Sequence, residues 1–272
     1  MLTLAQFASI SPAALMRLIG TPQAPAVIDV CIDSDFRDDP YLIPTSQRYP
    51  HGQITDLAST LKGRHVVVVC QKGKKLSHGA AALLRAEGVR AEVLEGGMFA
   101  WRDAGFPRIP ASAMPSDAPG SLWVTRWRPK IDRIACPWLI RRFVDPAASF
   151  LYVPPAEVAE VADRFKATAF DTLQAPWGHD GELCTFDTMI AGFGLGTAAL
   201  ERMAVVVRAA DTNSHHLAPE AAGLLALSVG LSRAHRDDLE QLEAGMVLYD
   251  ALYRWARDGK DETHDWDNEA GR

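Results

Sequence analysis

Residues 65–84, HVVVVCQKGKKLSHGAAALL, constrain the fold more than any other part of this 272-residue chain. Four consecutive valines read as a buried β-strand that ends on Cys70. The stretch SHGAAALLRAEG that follows reads as an amphipathic helix closed by Gly88. Two further apolar runs, APAVIDV and AEVLEGG, flank this unit as strands. Strands that alternate with helices predict a mostly parallel sheet. In such sheets ligands sit beyond the carboxyl ends of the strands, which is where Cys70 falls.

The loop from Cys70 to Lys75 joins strand to helix in six residues. Gly73 permits a tight curl that turns backbone N–H groups inward, and the following helix adds the positive end of its dipole. Lys72, Lys74 and Lys75 add formal positive charge. Thiolate is favoured over thiol in such a place, and an anionic sulfur donor is drawn to it. The plain alternative is a buried strand-end cysteine, since free Cys packs well in cores. The other three cysteines, Cys31, Cys136 and Cys184, form no CxxC pair, so no disulfide framework is expected.

The first segment closes at about residue 107. Residues 108–121 are Pro-rich, too dense in Pro for helix or strand, and are expected to be a linker. The second segment, 122–257, reads LWVTRW and SFLYVPP as strands. IDRIACPWLIRRFVD is a helix that starts or kinks at Pro137, and five more helical segments follow. Residues 258–272 form an acidic tail expected to be disordered. The expected fold class is thus an α/β parallel sheet flanked by helices, then a mostly helical α+β domain. The net charge of −6 argues against a nucleic-acid partner. No apolar run of about twenty residues occurs, so no membrane span is expected. Pro12 and Arg17 interrupt the N-terminal apolar stretch, so a cytoplasmic protein is expected.

Residues from about 23 to 107 resemble a rhodanese domain. The matching stretches are IDV at 28–30, CQKGKKLSHGAAALL from Cys70, and VLEGGMFAW at 93–101. The resemblance implies sulfane sulfur carried as a persulfide on Cys70, with Gln71, Lys72, Gly73, Lys74 and Lys75 as the cradle. It implies a small anionic donor, a thiophilic acceptor and no cofactor. Lys75 stands where many members have Arg, Leu76 where a hydroxyl is common, and Cys31 where Arg is usual.

Residues 122–257 resemble the C-terminal domain of the ChrB-type chromate-resistance family. The likeness runs through TRWRPKIDRIACPWLIRRFVDP, FLYVPP, HDGELCTFD, RAADT, LAPEAAGLLALSVGLS and LEAGMVLYDALYRW. Some members of that family regulate chromate-resistance genes through an additional N-terminal DNA-binding region; here the rhodanese-like stretch stands in that place, so DNA binding is not carried over.

Against the acidic background, residues 126–142 are locally basic. Arg forks and helix N-termini suit tetrahedral dianions such as chromate or sulfate. Arg126, Arg133 and His179 are the expected oxyanion site. The plain alternative is a solvated face with surface ion pairs. Arg141 and Arg142 are expected to pair with carboxylates such as Asp145 or Glu157. Asp132, Cys136, His179, Cys184 and Asp211, with His215 and His216, are metal-ligand types, but His179-x4-Cys184 is not a tight zinc spacing. No metal is expected, and Cys136 is expected in the core. Three functions follow as expectations: a sulfurtransferase linked to chromate resistance, an oxyanion sensor or accessory protein, and a metal-dependent activity in the second domain.

Overall fold

The computed structural model describes residues 8–115, 119–173 and 175–262. The first part runs β1 (Ser9–Ile10), α1 (Pro12–Leu18), β2 (Ala26–Asp29), α2 (Asp33–Asp38), β3 (Tyr41–Leu42), β4 (Ser46–Arg48), α3 (Ala58–Leu61), β5 (His65–Val69), α4 (Lys75–Ala86), β6 (Arg90–Leu94), α5 (Gly97–Asp103) and β7 (Ile109–Pro110). The second runs β8 (Leu122–Arg126), α6 (Asp132–Leu139), β9 (Ser149–Val153), α7 (Val158–Phe165), β10 (Thr168–Ala169), α8 (Thr185–Gly192), α9 (Ala198–Asp211), α10 (Glu220–Ala234) and α11 (Asp238–Arg254).

The first sheet has the order β1-β6-β5-β2-β4 and is parallel throughout. The valines of the central strand β5 alternate between its faces, as strand geometry requires. Val66 and Val68 pack with Ala80, Ala81 and Leu84 of α4, while Val67 and Val69 join the opposite core with Leu15, Ile19 and Trp101. Each fully buried Val stabilises the fold by about 1.5–3 kcal/mol before entropy is counted. Cys70 follows directly at the carboxyl end of this strand. The sheet also begins earlier than the sequence suggests: β1 and α1 precede residue 23, and β4 emerges from the polar stretch 33–53 to pair with β2.

The second sheet is a parallel three-stranded one, β10-β8-β9, set among six helices. Pro137 sits inside α6 without ending it. Its missing N–H leaves the Arg133 carbonyl free in the helix, and the Tyr152 hydroxyl donates to that carbonyl at 2.9 Å. The helix continues as a π-helical turn, Ile140–Val144.

One continuous apolar core joins the two parts, from Leu15 and Trp101 to Trp138, Phe143 and Tyr253. Gly20, at φ +81°, lies against the Phe143 ring so closely that a Cβ there would fall 2.3 Å from it. The Pro-rich stretch is partly built in. Ile109–Pro110 pairs antiparallel with Tyr41–Leu42, and Ala111–Ala113 form a 3₁₀ turn. Pro is tolerated on such an edge because its nitrogen owes the ladder nothing. The acidic tail falls outside the described residues from 263 on. Before that, Trp255–Gly259 prolong α11 as a π-helical turn. Among the described residues, no helix is long and apolar enough to cross a membrane.

Candidate functional site

Cys70 is 4% exposed, at the start of the loop that leads into α4. The Lys74 backbone N–H donates to its Sγ at 3.4 Å, and the Ser77 Oγ lies 3.2 Å from the same sulfur. Ser77 donates its one hydroxyl proton to the Lys74 carbonyl at 3.1 Å, so with Cys70 as a thiol the Ser77 Oγ is the acceptor toward the sulfur. The loop is braced from outside by the start of α5. The Met98 N–H donates to the Cys70 carbonyl and the Phe99 N–H to the Gln71 carbonyl, both at 3.1 Å. This contact requires two glycines. Gly73 and Gly97 both have φ +60°, and a Cβ on Gly97 would fall 2.0 Å from the Cys70 carbonyl. The Glu-Gly-Gly turn therefore belongs to the cysteine site.

Beside the loop, Gln71, Met98 and Phe99 line a small cavity with Asp29, Cys31, Asp35, Asp39 and Tyr41. Asp29 is buried, and its Oδ1 accepts from the Cys31 N–H at 2.9 Å while its Oδ2 has no partner. Burial raises the Asp29 carboxyl above its ordinary value. Burial and then the Asp29 charge push the Cys31 thiol up, so it stays protonated.

A second assembly lies beyond the carboxyl ends of β8 and β10. Asp171 is its hub. Arg126 Nη2 lies 3.1 Å and Arg133 Nε 3.3 Å from Asp171 Oδ2, and the Thr185 hydroxyl donates to Oδ1 at 3.1 Å. Arg133 also donates to the Arg126 and Trp127 carbonyls. His179 Nε2 stands 3.3 Å from Asp211 Oδ2, 3.5 Å from Asp171 Oδ1 and 3.6 Å from Asp132 Oδ2. Thr185 N–H donates to Asp132 Oδ2 at 2.6 Å, and Asp132 Oδ1 is sealed from solvent with no partner. Two non-Gly residues with positive φ belong to this place: Ile131 (φ 41°), which precedes Asp132, and Asp171 itself (φ 49°). Such conformations persist only where the surroundings hold them.

Family models place both halves. Residues 11–104 match the rhodanese-like domain, and residues 123–256 match the ChrB C-terminal domain. The chain joins a rhodanese-like domain to a ChrB C-terminal domain. Protein ChrB of Cupriavidus metallidurans is 30% identical over 217 residues, covering 74% of this chain. The chain spans 65% of that relative's own length. Among solved structures, a rhodanese-related protein from Thermoplasma volcanium is 24% identical (38% of this chain, 98% of that one, TM-score 0.33). A thiosulfate sulfurtransferase from Pseudomonas aeruginosa is 24% identical (39% of this chain, 20% of that one, TM-score 0.34).

In the rhodanese-like domain residues 70–74 form the turn and Lys75 opens α4, with Lys72, Lys74 and Lys75 exposed. The hydroxyl that position 76 lacks is supplied one residue later by Ser77, a residue the sequence reading passed over. In the ChrB domain Arg126, Arg133 and His179 do converge, but around carboxylates. Both guanidiniums share Asp171, so an oxyanion would have to displace a bound carboxylate. Asp171 itself was missed. Its signal was present, a strand-end acid two residues past Thr168–Ala169 and facing a strand-end Arg. Arg141 and Arg142 pair with Glu243 at 2.6 Å and Asp250 at 2.7 Å, both on α11, rather than with Asp145 or Glu157. Asp145 instead accepts from the backbone N–H groups of Gly120 and Ser121. Cys136 and Cys184 are both buried, and burial raises both thiols. Of the metal-ligand types, only Asp132, His179 and Asp211 form a set of suitable size among the described residues.

The charges of this cluster act on one another. Contact with Asp132 pushes His179 up to about 9 against partial burial, with Asp211 and Asp171 adding to the rise. Burial, then the Asp132 and Asp171 charges, push Asp211 up to about 7. Burial, then Asp132, also raises Asp171, and the two guanidiniums oppose this.

Proposed function

We propose that the rhodanese-like domain is a sulfurtransferase that carries sulfane sulfur on Cys70. The observation that carries this reading is the sulfur's own environment: strand end, Lys74 N–H, Ser77 hydroxyl and the start of α4. The fixed Lys74 N–H and the helix start stabilise an anion there, thiolate or persulfide, and the Ser77 hydroxyl can turn its proton from the Lys74 carbonyl to that anion. With thiosulfate as donor, the Cys70 thiolate attacks the outer sulfur. A Cys–S bond forms, the donor's S–S bond breaks and sulfite leaves with its electron pair. A thiophilic acceptor then attacks the outer persulfide sulfur and returns the Cys70 thiolate.

The test is thiocyanate formation from cyanide after incubation with thiosulfate or with glutathione persulfide. Formation with either donor, lost in Cys70→Ser, supports the reading. No thiocyanate from either would sink it. The fusion to a ChrB domain supports a role for this activity in a chromate-resistance response. There it would restore sulfur chemistry damaged by an oxidising oxyanion.

A further inference from the structure

The ChrB domain holds a cluster whose spacing fits a cation better than it fits hydrogen bonds. His179 Nε2 lies at 3.3, 3.5 and 3.6 Å from oxygens of three different aspartates. An imidazolium that served only as an ion-pair partner would settle on one of them at about 2.7–3.2 Å. Instead it is nearly equidistant from three. Two ligands each about 2.1 Å from a tetrahedral ion are about 3.4 Å apart. The ligand atoms of Asp132, His179 and Asp211 all fall within 4.8 Å of one another.

The second observation is independent of this spacing. Asp132 is fully buried; its Oδ2 faces His179 and accepts from the Thr185 N–H, while its Oδ1 has no hydrogen-bond partner among the described residues. A buried carboxylate oxygen left without donor or cation is costly, and charges in such places are normally paired or bound to metal. Asp132 is also held firmly, at the first turn of α6 and by Thr185 N–H. His179 and Asp211 are partly exposed, so the cluster has a way in from solvent.

We propose that Asp132, His179 and Asp211 bind a divalent first-row transition cation, zinc or manganese. One imidazole with two carboxylates suits these ions better than the all-oxygen preference of calcium or magnesium. Asp171 is a positioning residue. It faces the cluster with Oδ1 and anchors Arg126 and Arg133 with Oδ2. Three protein ligands leave a coordination position for water or for an anion. Bringing two positive charges to three carboxylates and two guanidiniums, with His179 neutral, makes an anion at that position favourable.

The experiment uses the full chain, stripped with a chelator and exchanged into chelator-free buffer. Zinc chloride and manganese chloride are titrated by calorimetry, and melting is followed with and without each ion. One saturable site per chain for at least one of the ions is expected, with a higher Tm for the bound form. Asp211→Asn and His179→Ala should each weaken binding by at least about tenfold and abolish the rise in Tm. The paired His215→Ala and His216→Ala variant should bind like wild type. Asp211→Asn is melted metal-free first, and if it is unfolded His179→Ala alone decides. Absence of saturable binding in wild type overturns the proposal, and so does binding that neither His179→Ala nor Asp211→Asn weakens.

Discussion

The two sites of this chain stand in the same kind of place and are built in opposite ways. Each lies beyond the carboxyl ends of a parallel sheet. The Cys70 site is nearly contiguous: residues 70–77 supply it, and the turn at 96–98 braces it. The Asp171 cluster gathers Arg126 from the end of β8, Asp132 and Arg133 from α6, Asp171 and His179 from the loops around β10, and Asp211 from the end of α9. The first needs one strand, one glycine turn and one helix to be in place. The second exists only when the whole domain has folded. Substitutions in the first should therefore cost chemistry, and substitutions in the second should cost the fold.

The largest contrast is at Cys70. Cys70→Ser should abolish sulfur loading while it moves Tm little, because Ser nearly fills the same volume. Sulfur loading and a thermal melt of the same preparation check both halves. Asp171→Ala should show the reverse. It leaves Arg126 and Arg133 without their shared carboxylate and should destabilise the chain by about 3 kcal/mol. Denaturant melts measure this. If Cys70 still loads sulfur in Asp171→Ala under folding conditions, the division between the sites holds. Gly97→Ala tests the brace. The substitution forces a Cβ into the Cys70 carbonyl at a positive φ, so it should reduce sulfur loading steeply and cost about 1–3 kcal/mol.

A smaller effect follows from the charges of the cluster in metal-free protein. His179 is raised to about 9 in the fold, so it keeps a proton there that it loses at about 6.5 when unfolded. Its contribution is fully present below pH 6.5 and is lost as pH rises through 9. The imidazole is 42% exposed, so screening holds this to on the order of 1 kcal/mol. Stability measured from pH 6 to pH 9.5 should fall, and His179→Gln should flatten that fall. An unchanged slope in the variant would remove His179 from the network. The smallest expected effect is that of Ser77→Ala. It removes the hydroxyl beside the sulfur and its bond to the Lys74 carbonyl, and should slow turnover severalfold at a cost of no more than about 1 kcal/mol in stability.

What could be read from the chain divides along the same line. The strand β5, its cysteine, the glycine turn and α4 are contiguous, and their periodicity marks them. Ser77 escaped because its role depends on a helix that starts at Lys75, two residues earlier than the hydrophobic pattern shows. In the ChrB domain the helices and strands were legible, and so was the basic stretch that includes Arg126 and Arg133. Their partner was not. Asp171 lies 38 residues beyond Arg133, and no local pattern connects a strand-end acid to a helix that far upstream. Arg141 and Arg142 show the same limit. Asp145 is near them in sequence, but α11 brings Glu243 and Asp250 nearer in space. The Pro-rich stretch shows another: composition excludes long elements but not a two-residue edge pairing such as Ile109–Pro110 with Tyr41–Leu42.

The central claim is that Cys70 carries sulfur. Intact-mass measurement of the whole protein tests it most directly, after incubation with glutathione persulfide and removal of the donor. The account predicts a species one sulfur atom heavier, restored to the starting mass by cyanide and absent from Cys70→Ser. An unshifted wild-type mass, or an added sulfur that persists in Cys70→Ser, would contradict it.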